Sequence, residues 1–436
     1  MKRLIGLLAV ALTIAPVAAW SGPLPETAPE KVGLSSERLS RISHVMEGYV
    51  GSGEIVGAVG MVARHGRLVW TDSWGLSDRD KGSVMEEDTI FRIYSMSKPI
   101  TSVGLMMLYE EGKFSLKDPV ALYLPELADL QVVIESEESK NKPAYNIPSE
   151  EGAEIEVQEI EYETEPAIRP ITVQDLLRHT SGMTYGFFGS SIADQLYMQA
   201  GLIAEDKDIA ETVRKLGQLP LKHQPGTRYD YSVSVDVQGR LIEVLSGQRF
   251  DEYLEERIFK PLGMNDTAFW VTDEKIDRFA QMYSPAEEGQ GLVVANNDLN
   301  RNYFNDPTYF SGGGGLVSTA GDYLRFAQMM LNGGELDGIR ILSPKTVELM
   351  TVDHLNDLPN GLYAGGYGFG LGFAVAQDLG RMAEPGSIGE FNWGGAAGTR
   401  FWVDPEEDLI GVFMIQILPH SGLSYGTEFR RMVYTS

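Results

Sequence analysis

Phe91-Arg92-Ile93-Tyr94-Ser95-Met96-Ser97-Lys98-Pro99, continued by Ile100, Val103, Met106 and Met107, is the stretch that decides how this chain is read. Its apolar residues recur at helical spacing and predict a helix from about Ser95 to Glu111, ended by Gly112. Pro99 fits only near the start of that helix, where its missing N–H costs little, so Ser95 falls at or just before the first turn. Residues three apart share a helix face, which lets Lys98 approach the Ser95 hydroxyl. A serine is a weak nucleophile until a neighbour takes its proton, and a lysine whose charge is disfavoured by burial or nearby cations can do so. The free N–H groups of a helix start also favour a developing oxyanion. A second Ser-x-x-Lys, Ser139-Lys140-Asn141-Lys142, has neither a helix nor an apolar wall around it and reads as chance.

Two further segments carry chemistry. Tyr231-Ser232 follows Pro225-Gly226-Thr227-Arg228 and opens a helix; a tyrosine near cations can have its phenol pKa depressed and act as base, then acid. Tyr229 is the packing counterpart. Trp393-Gly394-Gly395 precedes a strand, and its glycines let a substrate approach the backbone, with the Ala396 N–H as a donor to an oxyanion.

Working outward, residues 54–74 alternate as a hairpin around Arg64-His65-Gly66-Arg67. Helical patterns cover 173–178, 190–202, 209–216, 233–245 and 320–331, and the run Gly312-Gly313-Gly314-Gly315 lies before the last of these. Strands are expected at 399–403 and 409–416, then an amphipathic helix bearing Phe429, Met432 and Val433. Strands at both ends with helices between suggest one antiparallel sheet completed by the N- and C-terminal segments. Residues 131–168 form an acidic insert. Eleven acids face two lysines between Glu135 and Glu165, and Glu154-Ile155-Glu156-Val157 alternates like a half-exposed strand. A solvated surface hairpin is the reading of that composition.

Lys2 and Arg3, an apolar run from Leu4 to Ile14 and the small residues Val17-Ala18-Ala19 read as a signal peptide, residues 1–19. The run is too short to span a bilayer. The mature chain, 20–436, is therefore expected in the periplasm or secreted, without stable membrane insertion. With 62 acids against 36 bases, the net charge of −26 repels phosphate backbones and excludes nucleic acid as a partner. The chain has no cysteine, which rules out disulfides and thiol chemistry. Its six histidines, His44, His65, His179, His223, His354 and His420, show no metal-ligating spacing; neither metal nor cofactor is expected.

Taken in order, these segments resemble the serine β-lactamase, penicillin-binding protein and class C-like esterase superfamily. Phe91 through Pro99 looks like its nucleophile segment, and Pro170-Ile171-Thr172-Val173 through Leu176-Leu177-Arg178-His179-Thr180-Ser181-Gly182 like its characteristic helix and loop. Pro225-Gly226 to Tyr231-Ser232, Ser311 to Ala320, and Phe401-Trp402-Val403-Asp404-Pro405 with Asp408 correspond too. The resemblance implies an α/β (α+β) fold of the β-lactamase/transpeptidase type. An antiparallel sheet flanked by helices would come from about 20–115 and 295–436, with a mainly helical part, about 116–294, inserted between. It implies an acyl-enzyme on Ser95, with Lys98 and Tyr231 sharing its proton and the N–H groups of Ser95 and Ala396 holding the oxyanion.

Two departures bear on substrate. Val233 stands where lactamases of this type carry the asparagine of Tyr-x-Asn, and Trp393-Gly394-Gly395 stands in place of Lys-Thr-Gly, whose lysine binds a substrate carboxylate. His179-Thr180-Ser181-Gly182 and His420-Ser421-Gly422 contain suggestive residues, but neither precedes the terminal strand pair. Tryptophan for lysine removes a charge partner and adds an aromatic wall. The pattern resembles family VIII carboxylesterases, and the expectation is a small-molecule ester of a short-chain or aromatic acid. A β-lactamase or D-alanyl-D-alanine carboxypeptidase, an acyltransferase with the same site, and a non-catalytic binding protein remain open alternatives. Tyr185, Phe187, Phe188 and Tyr309 line the groove or belong to the core.

Overall fold

The computed structural model describes residues 23–134, 160–202, 208–286, 291–295, 303–356, 358–359, 365–420 and 424–436. The signal-peptide reading, the Glu154–Val157 alternation and Ser421-Gly422 lie outside them.

Helix α1 (Ser36–Ser52) is capped by the Ser35 side chain and stopped by Gly53 at positive φ. Strands β1 (Gly57–Arg64) and β2 (Arg67–Asp78) form the expected hairpin, and β3 (Ser83–Val84) pairs with β2. Helix α2 (Ser97–Glu110) follows a 3₁₀ turn at Tyr94–Met96. The acidic insert is bracketed by an antiparallel pair, β4 (Gln131–Ile134) and β5 (Glu163–Pro166). The helical stretch contains α3 (Val173–Leu177), α4 (Ile192–Ala200), α5 (Ile209–Leu216) and α6 (Ser234–Ser246), and α7 (Ala320–Leu331) comes later. The chain closes with β6 (Tyr367–Phe369), β7 (Ala374–Ala376), β8 (Phe391–Gly394), β9 (Arg400–Asp404), β10 (Leu409–Ile415) and α8 (Tyr425–Tyr434).

Eight strands make one sheet in the order β6-β7-β8-β9-β10-β1-β2-β3. The two chain ends meet where β1 runs antiparallel to β10, with Ala58 opposite Ile415 and Arg64 opposite Leu409. Side chains alternate across a strand, and both faces of this sheet are covered. Val59 and Met61 of β1, with Val412 and Met414 of β10, join the large core shared with α2 and α7. Ala58, Val62, Phe413 and Ile415 pack instead on α1 and α8. That double burial explains the unbroken apolar run of β10, which a one-sided strand would not need. Gly411 has its own reason: any side chain there would collide with the Trp402 ring laid across the strand.

Helix α2 is buried from Ser97 to Leu108, so it is a central rod between the sheet and the helical part rather than a surface helix. The loop before α7 is tied to its start. Ser97 Oγ accepts from the Leu316 N–H at 3.1 Å, Thr101 Oγ1 donates to the Gly312 carbonyl at 2.9 Å, and Tyr323 Oη donates to the Met96 carbonyl at 2.9 Å. No helix among the described residues is long and apolar enough to cross a membrane.

Candidate active site

Ser95 sits in the 3₁₀ turn that feeds α2, and Lys98 lies one turn on, as its spacing requires. The Lys98 side chain is 1% exposed. Its Nζ is 3.1 Å from Ser95 Oγ and donates to the Gly313 carbonyl at 2.6 Å. It also stands over the rings of Tyr231, 4.5 Å from the centroid, and Tyr185, 5.1 Å away. Two aromatic faces and one carbonyl thus surround a buried ammonium or amine.

Tyr231 comes from the segment leading into α6. Its hydroxyl is buried, with Ser95 and Trp393 beside it. Burial pushes its pKa up; the Ser95 and Trp393 side chains pull it down and the Asp236 carboxylate raises it further, with burial winning. Burial and the Asp236 carboxylate thus shift the phenol upward, the direction opposite to the lowering that a nearby cation can give.

Trp393 closes the other side. Its ring centroid is 5.4 Å from that of Tyr231 and 5.3 Å from that of Phe369. The loop after β8 runs against the Ser95 turn so closely that any side chain at Gly395 would strike the Ile93 carbonyl. This is the close backbone approach for which only glycine serves. The N–H groups of Ser95 and Ala396 take no acceptor among the described residues.

Two contributors, His179 and Asp236, were given no role at the site by sequence reasoning, although His179 stands in a quoted motif. His179, at positive φ, packs its ring 4.9 Å from Tyr231, and its Nδ1 accepts from the Ser232 N–H at 3.3 Å. With Nδ1 an acceptor, the neutral ring carries its proton on Nε2. Burial and then the Lys98 charge hold its pKa well below the usual imidazole range, so it adds no competing cation. Asp236, fully buried on α6, accepts from Ser311 Oγ at 2.6 Å, Tyr309 Oη at 3.2 Å and the Gly313 N–H at 3.3 Å. Gly313 thus faces Asp236 with its N–H and Lys98 with its carbonyl. The Gly312–Gly315 run was the visible signal, since any side chain at Gly313 would meet Asp236 and the Tyr185 hydroxyl. Nothing in the local sequence announces the roles of His179 and Asp236.

The expected groove aromatics divide. Tyr309 is buried in the Asp236 network. Tyr185 stacks on Phe187 at 5.2 Å and meets Tyr231 at 5.5 Å. Phe188 lies 5.7 Å from Tyr231 yet is 64% exposed, forming the outer lip. Tyr229 packs between His179 and Phe369, as a structural tyrosine should.

A helix-start serine beside a buried lysine and tyrosine, at the end of an antiparallel sheet, defines a serine-hydrolase architecture. The Beta-lactamase family profile matches residues 42–429, and the chain belongs to that family. It is 35% identical over 377 residues to an uncharacterised protein of Mycobacterium tuberculosis, covering 84% of this chain and 87% of that one. It is 30% identical over 405 residues to Esterase EstB of Burkholderia gladioli, covering 88% and 92%. Among solved structures, EstCE1, described as a hydrolase with promiscuous acyltransferase activity, superposes with a TM-score of 0.73 at 24% identity, over 91% of this chain and 99% of that one. The expected fold is thus the observed one, and the chain is a serine hydrolase of the β-lactamase family.

Proposed function

We propose that the protein is a carboxylesterase that forms an acyl-enzyme on Ser95, acting on esters of short-chain or aromatic acids. The observation that carries the reading is the Lys98 Nζ to Ser95 Oγ approach of 3.1 Å, next to the buried Tyr231 hydroxyl and an aromatic wall at Trp393. The 30% identity to an esterase supports the ester over other acyl substrates.

In this relay Lys98, in its amine form, takes the Ser95 proton as Oγ attacks the ester carbonyl. The N–H groups of Ser95 and Ala396 face the oxyanion. Tyr231 then gives its proton to the leaving oxygen and takes back the serine proton from the Lys98 ammonium, so one proton passes net from Ser95 to the alcohol and Lys98 and Tyr231 return to their starting states. Water enters by the reverse relay and releases the acid. Resting protonation belongs to the Lys98–Tyr231 pair and not to either group alone. Tyr185 and Phe187, stacked, with Phe188 turned against both, offer an aromatic surface to the acyl group. The signal-peptide reading of residues 1–19 supports a periplasmic or secreted enzyme.

The test is hydrolysis of p-nitrophenyl butyrate and a chromogenic cephalosporin, side by side, by wild type and Ser95→Ala. The reading expects ester turnover that falls by on the order of 10³ or more in the variant, with little lactam opening. A fully active Ser95→Ala protein sinks it, and lactam opening that equals ester turnover favours the β-lactamase alternative.

A further inference from the structure

The two N–H groups that face the oxyanion come from distant parts of the chain. Ser95 lies in the turn before α2, and Ala396 lies in the loop between β8 and β9. Such donors stabilise a developing charge only at a fixed distance from it, and so from each other. The end of β10 holds both segments. Gln416 immediately follows that strand and is 4% exposed. Its Oε1 accepts from the Arg92 N–H at 3.1 Å, and its Nε2 donates to the Arg92 carbonyl at 3.0 Å and to the Ile415 carbonyl at 3.0 Å.

A bond to the N–H and a bond to the carbonyl of one residue are what a neighbouring strand supplies. The other edge of the short strand Phe91–Arg92 pairs with Val317–Ser318. The Gln416 side chain therefore stands in for a strand and ties the segment that leads to Ser95 to the main sheet. From Arg92 the hold passes to Ile93, whose carbonyl accepts from the Met96 N–H at 3.0 Å and closes the turn around Ser95. The next residue along holds the second donor. The Ile417 N–H donates to the Ala397 carbonyl at 3.0 Å, and the Gly395 N–H donates to the Thr399 carbonyl at 2.7 Å, so Ala396 is fixed on both sides. Thr399 Oγ1 reaches across to the Ile93 carbonyl at 3.4 Å. Satisfying buried backbone groups is the ordinary task of a buried amide, and Gln416 performs it. Its further role follows from which segment it holds.

We propose that Gln416 is a positioning residue for the reaction: its side-chain amide fixes the Ser95 turn against the strand end that also holds the Ala396 loop, and so sets the spacing of the two oxyanion donors. It touches no reacting atom. The inference rests on the esterase reading in taking both N–H groups as the oxyanion site. The oxyanion exists only after Oγ has attacked, so a small displacement of one donor costs rate and leaves ground-state binding alone. Acylation and deacylation both pass through an oxyanion, so kcat falls whichever step is slower.

The test uses Gln416→Met, which keeps the length and loses both bonds to Arg92, and Gln416→Glu, which keeps the acceptor and loses the donor. The folded fraction of each is read from urea unfolding. With p-nitrophenyl butyrate, kcat should fall at least tenfold in Gln416→Met and by less in Gln416→Glu, with KM within twofold of wild type. Inhibition by 1,1,1-trifluoropentan-2-one, which Ser95 converts to an oxyanion adduct, should weaken by the same factor as kcat. Inhibition by butyramide, which stays trigonal and uncharged, should change less than twofold. A folded Gln416→Met enzyme with kcat within twofold of wild type, or equal weakening of both inhibitors, overturns the role. Should Gln416→Met not fold, Gln416→Glu is read alone, and a kcat loss below threefold overturns it. Should wild type cleave no ester, the esterase reading fails by itself, and the rate at which a fluorophosphonate labels Ser95 decides the role of Gln416. Labelling at least tenfold slower in the Met variant, or threefold slower in the Glu variant if that alone folds, upholds it; an equal rate, or a wild type that is never labelled, overturns it.

Discussion

Replacing Asp175 by asparagine tests how the loop beneath Tyr231 is held. Asp175 is the third residue of α3 and is fully buried; it closes a capping box with Thr172. Arg169 contributes Nη1 at 2.6 Å, Arg178 contributes Nη2 at 3.1 Å, and Thr180 Oγ1 donates at 2.7 Å. Thr180 adjoins His179, so this carboxylate anchors the residue packed on Tyr231. Burial alone would raise its pKa, but the hydrogen bonds from Arg169, the Thr172 backbone, Thr180 and the Thr172 hydroxyl outweigh that and bring it from 3.8 to about 2. A folded pKa below the unfolded one gives stability that is complete above the unfolded value and lost as pH falls through the folded one. The difference corresponds to about 2 kcal/mol at pH 7, of which about half is already lost at pH 3, where the unfolded carboxyl is mostly protonated. Urea unfolding of wild type and Asp175→Asn at both pH values reads this directly. The stability gap should narrow from about 2 to about 1 kcal/mol. A gap that is the same at pH 7 and pH 3 refutes the electrostatic account and leaves only a packing role.

Tyr231→Phe keeps the ring packing on His179 and Trp393 but removes the leaving-group acid; kcat for p-nitrophenyl butyrate should fall by about 10²–10⁴ with KM little changed. Arg430→Met strands Glu390 in the interior and should cost about 3–5 kcal/mol in urea unfolding, much of it recovered in the double variant with Glu390→Gln, whereas an unchanged midpoint would show the pair to be idle. Phe188→Ala should raise KM for a benzoate ester by about tenfold while an acetate ester moves less than twofold, since only a flat acyl group reaches the exposed ring.

The sequence was most readable where one physical constraint dominated a short stretch. Pro99 and the spacing of Ile100, Val103 and Met106 located the start of α2, and with it the pairing of Ser95 with Lys98. The apolar run of β10 and the turn before it marked the strand that joins the chain ends. Strands β6 and β7 escaped notice because three residues carry no usable alternation. Helix α1 was also not read, although Ser35 and Gly53 punctuate it. The site was legible as residue types and not as electrostatics. Burial sets the direction of the Tyr231 pKa, and burial is a property of the assembled helices and sheet. Asp236 and His179 act through partners 53 to 77 residues away, so no local pattern could have paired them.

The central claim is an acyl-enzyme on Ser95, and its most direct test is mass spectrometry of the enzyme quenched in acid during turnover of p-nitrophenyl butyrate. The account predicts a gain of one butyryl group, mapped by peptide digestion to Ser95 and absent from Ser95→Ala. A butyryl group on another residue, or turnover with Ser95 never modified in wild type or in a deacylation-slowed Tyr231→Phe enzyme, would contradict it.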